Sequence, residues 1–126
     1  MNKAIGLWID HRETVLVILT DSGEETRRIE SGMKKHVRFS GGAEQVTDED
    51  IRDRRFTNHL NTYYAEVVAS IREADAILIF GPGEAKGELA KRLESENLTD
   101  RIVGIETVDK MTERQISARV RQYFHR

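Results

Sequence analysis

At 126 residues, with 38% hydrophobic and 33% charged side chains, the chain has the size and composition of one globular domain, which excludes a disordered tail. A formal net charge of −2 supplies no overall attraction to nucleic acid, so any such attraction has to come from the arrangement of basic residues. The lack of cysteine excludes disulfides, thiolate nucleophiles and thiolate metal sites.

Ala4-Ile5-Gly6-Leu7-Trp8-Ile9 and Thr14-Val15-Leu16-Val17-Ile18-Leu19 are short, continuously apolar runs, the pattern of strands buried on both faces. The Asp10–Glu13 connection is long enough for a hairpin alone, which makes the two strands antiparallel neighbours. Asp21-Ser22-Gly23 supplies a second turn, and the mostly polar run Glu24–Ile29 suits a strand nearer the edge of a sheet. From Glu30 to Val46 neither a helical nor a strand period persists, and Ser40-Gly41-Gly42 frees the backbone, so residues 31–46 are expected to form a long mobile loop.

Thr47-Asp48-Glu49-Asp50 carries the signals of a helix start: a threonine cap with an acidic first turn. Ile51, Phe56, Leu60, Tyr63, Tyr64, Val67, Val68 and Ile71 then mark one apolar stripe, predicting an amphipathic helix to about Glu73. At roughly 1.5 Å per residue this helix would span about 40 Å and overhang a sheet, carrying the preceding loop away from the body. Ala76–Phe80 is another buried strand, followed by the turn Gly81-Pro82-Gly83 and a short helix through Lys86, Leu89 and Leu93. The segment Arg101–Thr107 contains a last strand. Met111–Ile116 reads as a capping box with a hydrophobic staple, opening a helix that buries Ile116, Val120, Tyr123 and Phe124.

The first half is thus a meander and the second half alternates strand and helix, which predicts an α/β fold with a five-stranded mixed sheet and three helices. With no repeat or linker in sight, residues 1–126 are expected to form a single domain. No run approaches the roughly 18 apolar residues of a membrane span, and the N-terminal run suits a strand better than a secretory signal. The expectation is a cytoplasmic protein with no membrane partner.

Four constellations carry candidate chemistry. Gly81–Gly87, with Lys86, could present backbone amides to a phosphate, but it lacks Walker spacing and Glu84 would repel an anion there; a glycine-dependent turn is the plainer reading. Asp10, Glu84 and Glu106 or Asp109 stand at strand ends, where clustered carboxylates could hold two magnesium ions for phosphodiester cleavage; a turn role for Asp10 and a helix-start role for Glu84 are the plainer reading. His11, His36, His59 and His125 lack metal-ligand spacing, and Ser31, Ser40 and Ser70 lack a nucleophile-elbow context, so no cofactor or metal is implied. The fourth is basic: Arg27, Arg28, Lys34, Lys35, His36 and Arg38 approach the two glycines, and Arg52, Arg54 and Arg55 decorate the helix beyond them. Folded back along that helix, these charges would converge on one tip suited to RNA phosphates. Glu44, Asp48, Glu49, Asp50 and Asp53 are interleaved, and a solvated, salt-bridged surface is the competing account.

The order of these features resembles a known family. A basic loop with Gly41-Gly42, then Arg55-Phe56 opening a helix with Leu60, Tyr64 and Val67, then Ile77-Leu78-Ile79, Gly81-Pro82-Gly83 with Lys86, Val103 and Thr107, is similar to the central domain of archaeal and eukaryotic class 1 peptide-chain release factors and their Pelota relatives. The resemblance covers nearly the whole chain and implies a stand-alone relative with an RNase H-like translation-factor fold. In the release factors the loop ends in Gly-Gly-Gln, which promotes hydrolysis of peptidyl-tRNA. Here Ala43 follows the glycines and Gln45 comes two residues late; alanine has no amide to offer, and small misplacements are costly to catalysis. Pelota relatives lack that motif and act on stalled ribosomes by binding. The resemblance therefore implies a noncatalytic domain that binds the ribosome or tRNA through Lys34, Lys35, Arg38, Gly41, Gly42, Arg54 and Arg55. A peptidyl-tRNA hydrolase using the displaced Gln45, and a magnesium-dependent nuclease, stay as alternatives.

Overall fold

A computed structural model describes residues 3–32 and 49–124, without the side chains of 49–58. Among the described residues, five strands form one sheet: β1 (Ala4–Ile9), β2 (Glu13–Thr20), β3 (Gly23–Glu30), β4 (Ala76–Gly81) and β5 (Ile102–Thr107), in the order β3-β2-β1-β4-β5. β1 pairs antiparallel with β2 and parallel with β4, β2 pairs antiparallel with β3, and β4 pairs parallel with β5, so the sheet is mixed as the patterning predicts. Among the described residues three α-helices accompany the sheet: α1 (Glu49–Ile71), α2 (Ala85–Ser95) and α3 (Glu113–Phe124).

The continuously apolar strands β1, β2 and β4 are central and are covered on both faces. On one face Ile5, Leu7, Ile9, Leu16, Ile77 and Ile79 pack with the stripe Leu60, Tyr63, Tyr64, Val67, Val68 and Ile71 of α1 and with Leu89 and Leu93 of α2. On the other face Trp8, Val15, Val17, Leu78 and Phe80 meet Ile116 and Val120 of α3. Helix α3 lies directly on β1, because a Cβ at Gly6 would stand 2.4 Å from a Val120 methyl. Close helix–sheet packing is what holds glycine in that apolar run.

The predicted capping box is present: the Thr112 hydroxyl accepts from Gln115 N–H at 3.1 Å and the Gln115 carbonyl oxygen accepts from Thr112 N–H at 2.8 Å. Met111 packs on the cluster that contains Ile116, as a staple should. Two details depart from expectation. A 3-10 turn, Thr99–Arg101, precedes β5. Tyr123 is 39% exposed instead of buried: it lies over the edge strand β5, where a Cβ on Gly104 would be 3.5 Å from its hydroxyl, which donates to Val103 O at 3.1 Å.

Helix α1 starts at Glu49 and ends at Ile71, about 35 Å at roughly 1.5 Å per residue. Thr47, Ile51, Phe56 and most of the loop expected over 31–46 lie outside the described residues or side chains. No described helix is long and apolar enough to cross a membrane.

Candidate functional site at the carboxyl ends of the parallel strands

β1, β4 and β5 run in the same direction, and their carboxyl ends share one end of the sheet with the β1–β2 hairpin and the close of β3. The chain passes there in five places: Asp10–Arg12, Ser31-Gly32, the turn of α1 holding His59 and Leu60, Gly81–Glu84, and Val108-Asp109. Each pass is tied to another. Asp10 Oδ1 accepts from the N–H groups of Arg12 and Glu13 at 2.8 and 2.9 Å, which closes the hairpin turn. Ser31 N–H donates to Arg12 O at 2.9 Å, and Val108 N–H to Gly81 O at 3.2 Å. Gly81 passes so close to β1 that a Cβ would sit 2.2 Å from Ile9 O.

Two adjacent tyrosines of α1 bring hydroxyls to this end. Tyr63 donates to Asp10 O at 2.9 Å and receives a hydrogen bond from the fully buried Thr14 hydroxyl at 2.6 Å. Tyr64 donates to Glu88 Oε1 at 2.5 Å, and His11 Nε2 lies 3.0 Å from the same oxygen. An ionised carboxylate only accepts, so His11 donates from Nε2. The Arg92 guanidinium stacks 5.1 Å from the Tyr64 ring centroid and bonds to Asn61. The hairpin, α1 and α2 are thereby joined through side chains.

The electrostatics fix the protonation of this network. Burial pushes both tyrosine hydroxyls well above their ordinary range; for Tyr63 the Thr14 bond opposes this in part, and for Tyr64 the bond to Glu88 adds to it. Both stay neutral donors. For Glu88, burial pushes upward but is outweighed by the bonds from Tyr64 and His11, which with the positive charges of His11 and Arg92 hold the carboxyl below its ordinary range. The result is a brace of neutral hydroxyls on a carboxylate.

The strand-end carboxylates do not converge on a cation. Asp10 is committed to its turn, Glu106 is held by Arg119 of α3, and Asp109 contributes a backbone carbonyl to Trp8 Nε1 at 3.2 Å. Glu84 sits at the N-cap of α2 and makes no side-chain cap bond. Among the described residues no group of three or more histidines and acids could hold a metal ion. At the Gly81–Gly83 turn, Lys86 bonds back to Gly83 O, which fits a structural turn.

The basic tip falls on the undescribed part of the chain. Lys34, Lys35, His36, Arg38, Gly41, Gly42 and Gln45 lie outside the described residues, as does His125, and so do the side chains of Arg54 and Arg55. Its attachments are described: Gly32 stands beside His59 at the carboxyl end, where a Cβ on Gly32 would be 4.0 Å from His59 Nδ1, and the chain resumes in α1 at Glu49. Arg28, counted with the basic set, is engaged by Glu13 and by Glu113 at 2.7 Å. Sequence reasoning missed the tyrosine–Glu88–His11 network. The available signal was a pair of tyrosines on a buried stripe, whose hydroxyls have to find partners.

No protein-family model and no curated protein matches this sequence. Solved structures match its fold. The Pelota protein of Thermoplasma acidophilum superposes with a TM-score of 0.62 at 14% identity, over 99% of this chain and 32% of that one. Pelota of Archaeoglobus fulgidus gives 0.59 at 14% identity, over 95% of this chain and 31% of that one. An archaeal translation termination factor gives 0.54 at 11% identity, over 98% and 39%. The fold is that of a Pelota-like, termination-factor-like domain. The chain spans about a third of the length of those Pelota structures.

Proposed function

We propose that this chain is the counterpart of the central domain of Pelota and the release factors, and that it binds the ribosome or tRNA without catalysing peptide release. The observation that carries the proposal is the fold likeness over 99% of the chain to a Pelota structure, joined to a basic, diglycine segment that leaves from the carboxyl end of the sheet. Residues 49–58 of α1 add about 15 Å of helix axis beyond the turn that holds His59 and Leu60, and positions 54 and 55 fall on that extension. Lys34, Lys35 and Arg38 then engage phosphates, and Gly41-Gly42 lets the backbone approach the RNA closely.

Ala43 after the glycines supports binding over hydrolysis, since it lacks a side chain able to orient water. Cosedimentation with ribosomes tests the proposal. The wild-type chain should pellet at low salt and dissociate as salt rises, and charge reversal of Lys34, Lys35 and Arg38 should abolish pelleting. Pelleting that ignores both salt and charge reversal would remove the assigned tip. Release of peptide from peptidyl-tRNA that is lost in Gln45→Ala would replace the binding account with a catalytic one.

A further inference from the structure

The sheet ends in two unlike strands. β5 exposes Val103 and Ile105, whereas β3 reads Gly-Glu-Glu-Thr-Arg-Arg-Ile-Glu, with residues 23–28 exposed. Among the described residues no strand pairs with the outer side of β3.

The ladder with β2 fixes where the backbone of β3 points. Ser31 N–H donates to Arg12 O, one step beyond the Glu13↔Glu30 pair. Hydrogen-bonded pairs alternate in an antiparallel ladder, so Thr14↔Ile29, Leu16↔Arg27 and Ile18↔Glu25 are the bonded ones. The N–H and C=O groups of Glu24, Thr26 and Arg28 therefore face outward.

Those outward residues lie in a segment that is its own antiparallel complement. A two-fold axis at Thr26 sets Glu25 opposite Arg27 and Glu24 opposite Arg28 of a second copy, in both directions. Thr26 then meets Thr26 of the second copy as a hydrogen-bonded pair, and with the two Glu24–Arg28 pairs this gives about six new backbone bonds. Glu25 and Arg27 fall at the non-bonded positions, where Cα atoms approach to about 4.5 Å and side chains are nearest. Registers centred on Glu25 or Arg27 set like charges face to face. The present Glu25–Arg27 bond within the strand, 2.8 Å long between exposed side chains, holds little free energy and exchanges readily for the inter-copy pair.

We propose that β3 is a self-pairing edge: two copies of this chain join antiparallel about Thr26, making their sheets continuous. Charge of one sign along an edge prevents such pairing; the Glu25–Arg27 complementarity favours a second copy, while Glu24, paired with Arg121, and Arg28, paired with Glu13 and Glu113, contribute their outward backbone groups.

Sedimentation velocity from micromolar to about millimolar protein tests this. The wild-type chain should double its mass with rising concentration, at lower concentration in low salt than in high salt. Thr26→Pro deletes an outward N–H, which an edge strand tolerates, and should give a folded monomer by circular dichroism. Arg27→Glu and Glu25→Arg should each be monomeric alone and should form a heterodimer when mixed, because the mixture restores both opposite-charge pairs. A wild-type chain that stays monomeric throughout, a folded Thr26→Pro variant that dimerises like wild type, or a mixture that stays monomeric would each overturn the proposal. Should Thr26→Pro fail to fold, the mixing experiment decides.

Discussion

The two ends of the sheet are finished in different ways. At the amino end the chain is closed by bonds that each use a backbone group: Asp75 N–H donates to Lys3 O at 2.7 Å, Asp75 Oδ2 accepts from Lys3 N–H at 2.8 Å, and Arg101 reaches the carbonyls of Arg72 and Ala74 at 2.8 and 3.2 Å. At the carboxyl end, side chains from the hairpin, α1 and α2 meet in a chain of hydroxyls, imidazole and carboxylate. The first arrangement stops strands; the second also holds a platform in place. Open α/β sheets place their sites at the carboxyl ends of parallel strands, and the basic segment departs from that end.

The comparison breaks first at Gly81. Gly81→Ala forces a methyl to within 2.2 Å of the Ile9 carbonyl, with backbone on both sides and no rotamer to relieve it. A loss of about 3 kcal/mol or more is expected, read as a large fall in melting temperature. An unchanged melting temperature would mean that β1 and β4 can part at this end without cost.

Next is the hydroxyl of Tyr63. Tyr63→Phe strands the buried Thr14 hydroxyl and should cost about 1–3 kcal/mol, while Asp75→Ala at the amino end, an exposed bond, should cost under about 1 kcal/mol. Adding Thr14→Val to Tyr63→Phe should recover part of the loss. Denaturant unfolding of the three variants compares the ends directly, and equal costs at both would erase the distinction.

The smallest effect concerns pH. Because the fold holds Glu88 below its ordinary value of 4.5, its contribution is fully present above that pH and is lost as pH falls through the folded value. Glu88→Gln should flatten the acid side of the stability curve, lying below wild type near neutrality and meeting it at low pH. The change is modest, since the side chain is 40% exposed.

Much of the scaffold was legible because it rests on local chemistry. Apolar runs marked β1, β2 and β4, the polar run Glu24–Ile29 marked an outer strand, and Thr112 with Gln115 marked the start of α3. Tyr123 was misplaced because periodicity reports a helix face and not whether the strand beneath it is an open edge. The network at the carboxyl end was hidden for a different reason: His11 and Glu88 are 77 residues apart, and Tyr63 and Tyr64 read simply as positions on an apolar stripe. Asp10 was read as either a turn residue or a metal ligand, and its two backbone hydrogen bonds assign it to the turn.

Site-directed photocrosslinking asks which end of the sheet meets RNA. A photoreactive side chain is placed at exposed position 59, at the carboxyl end, or at position 73, where Glu73 is 84% exposed beside Lys3 at the amino end. In ribosome-bound protein, position 59 should crosslink to ribosomal RNA or tRNA and position 73 should not. Crosslinks from position 73 alone, or equally from both, would contradict binding through the carboxyl end.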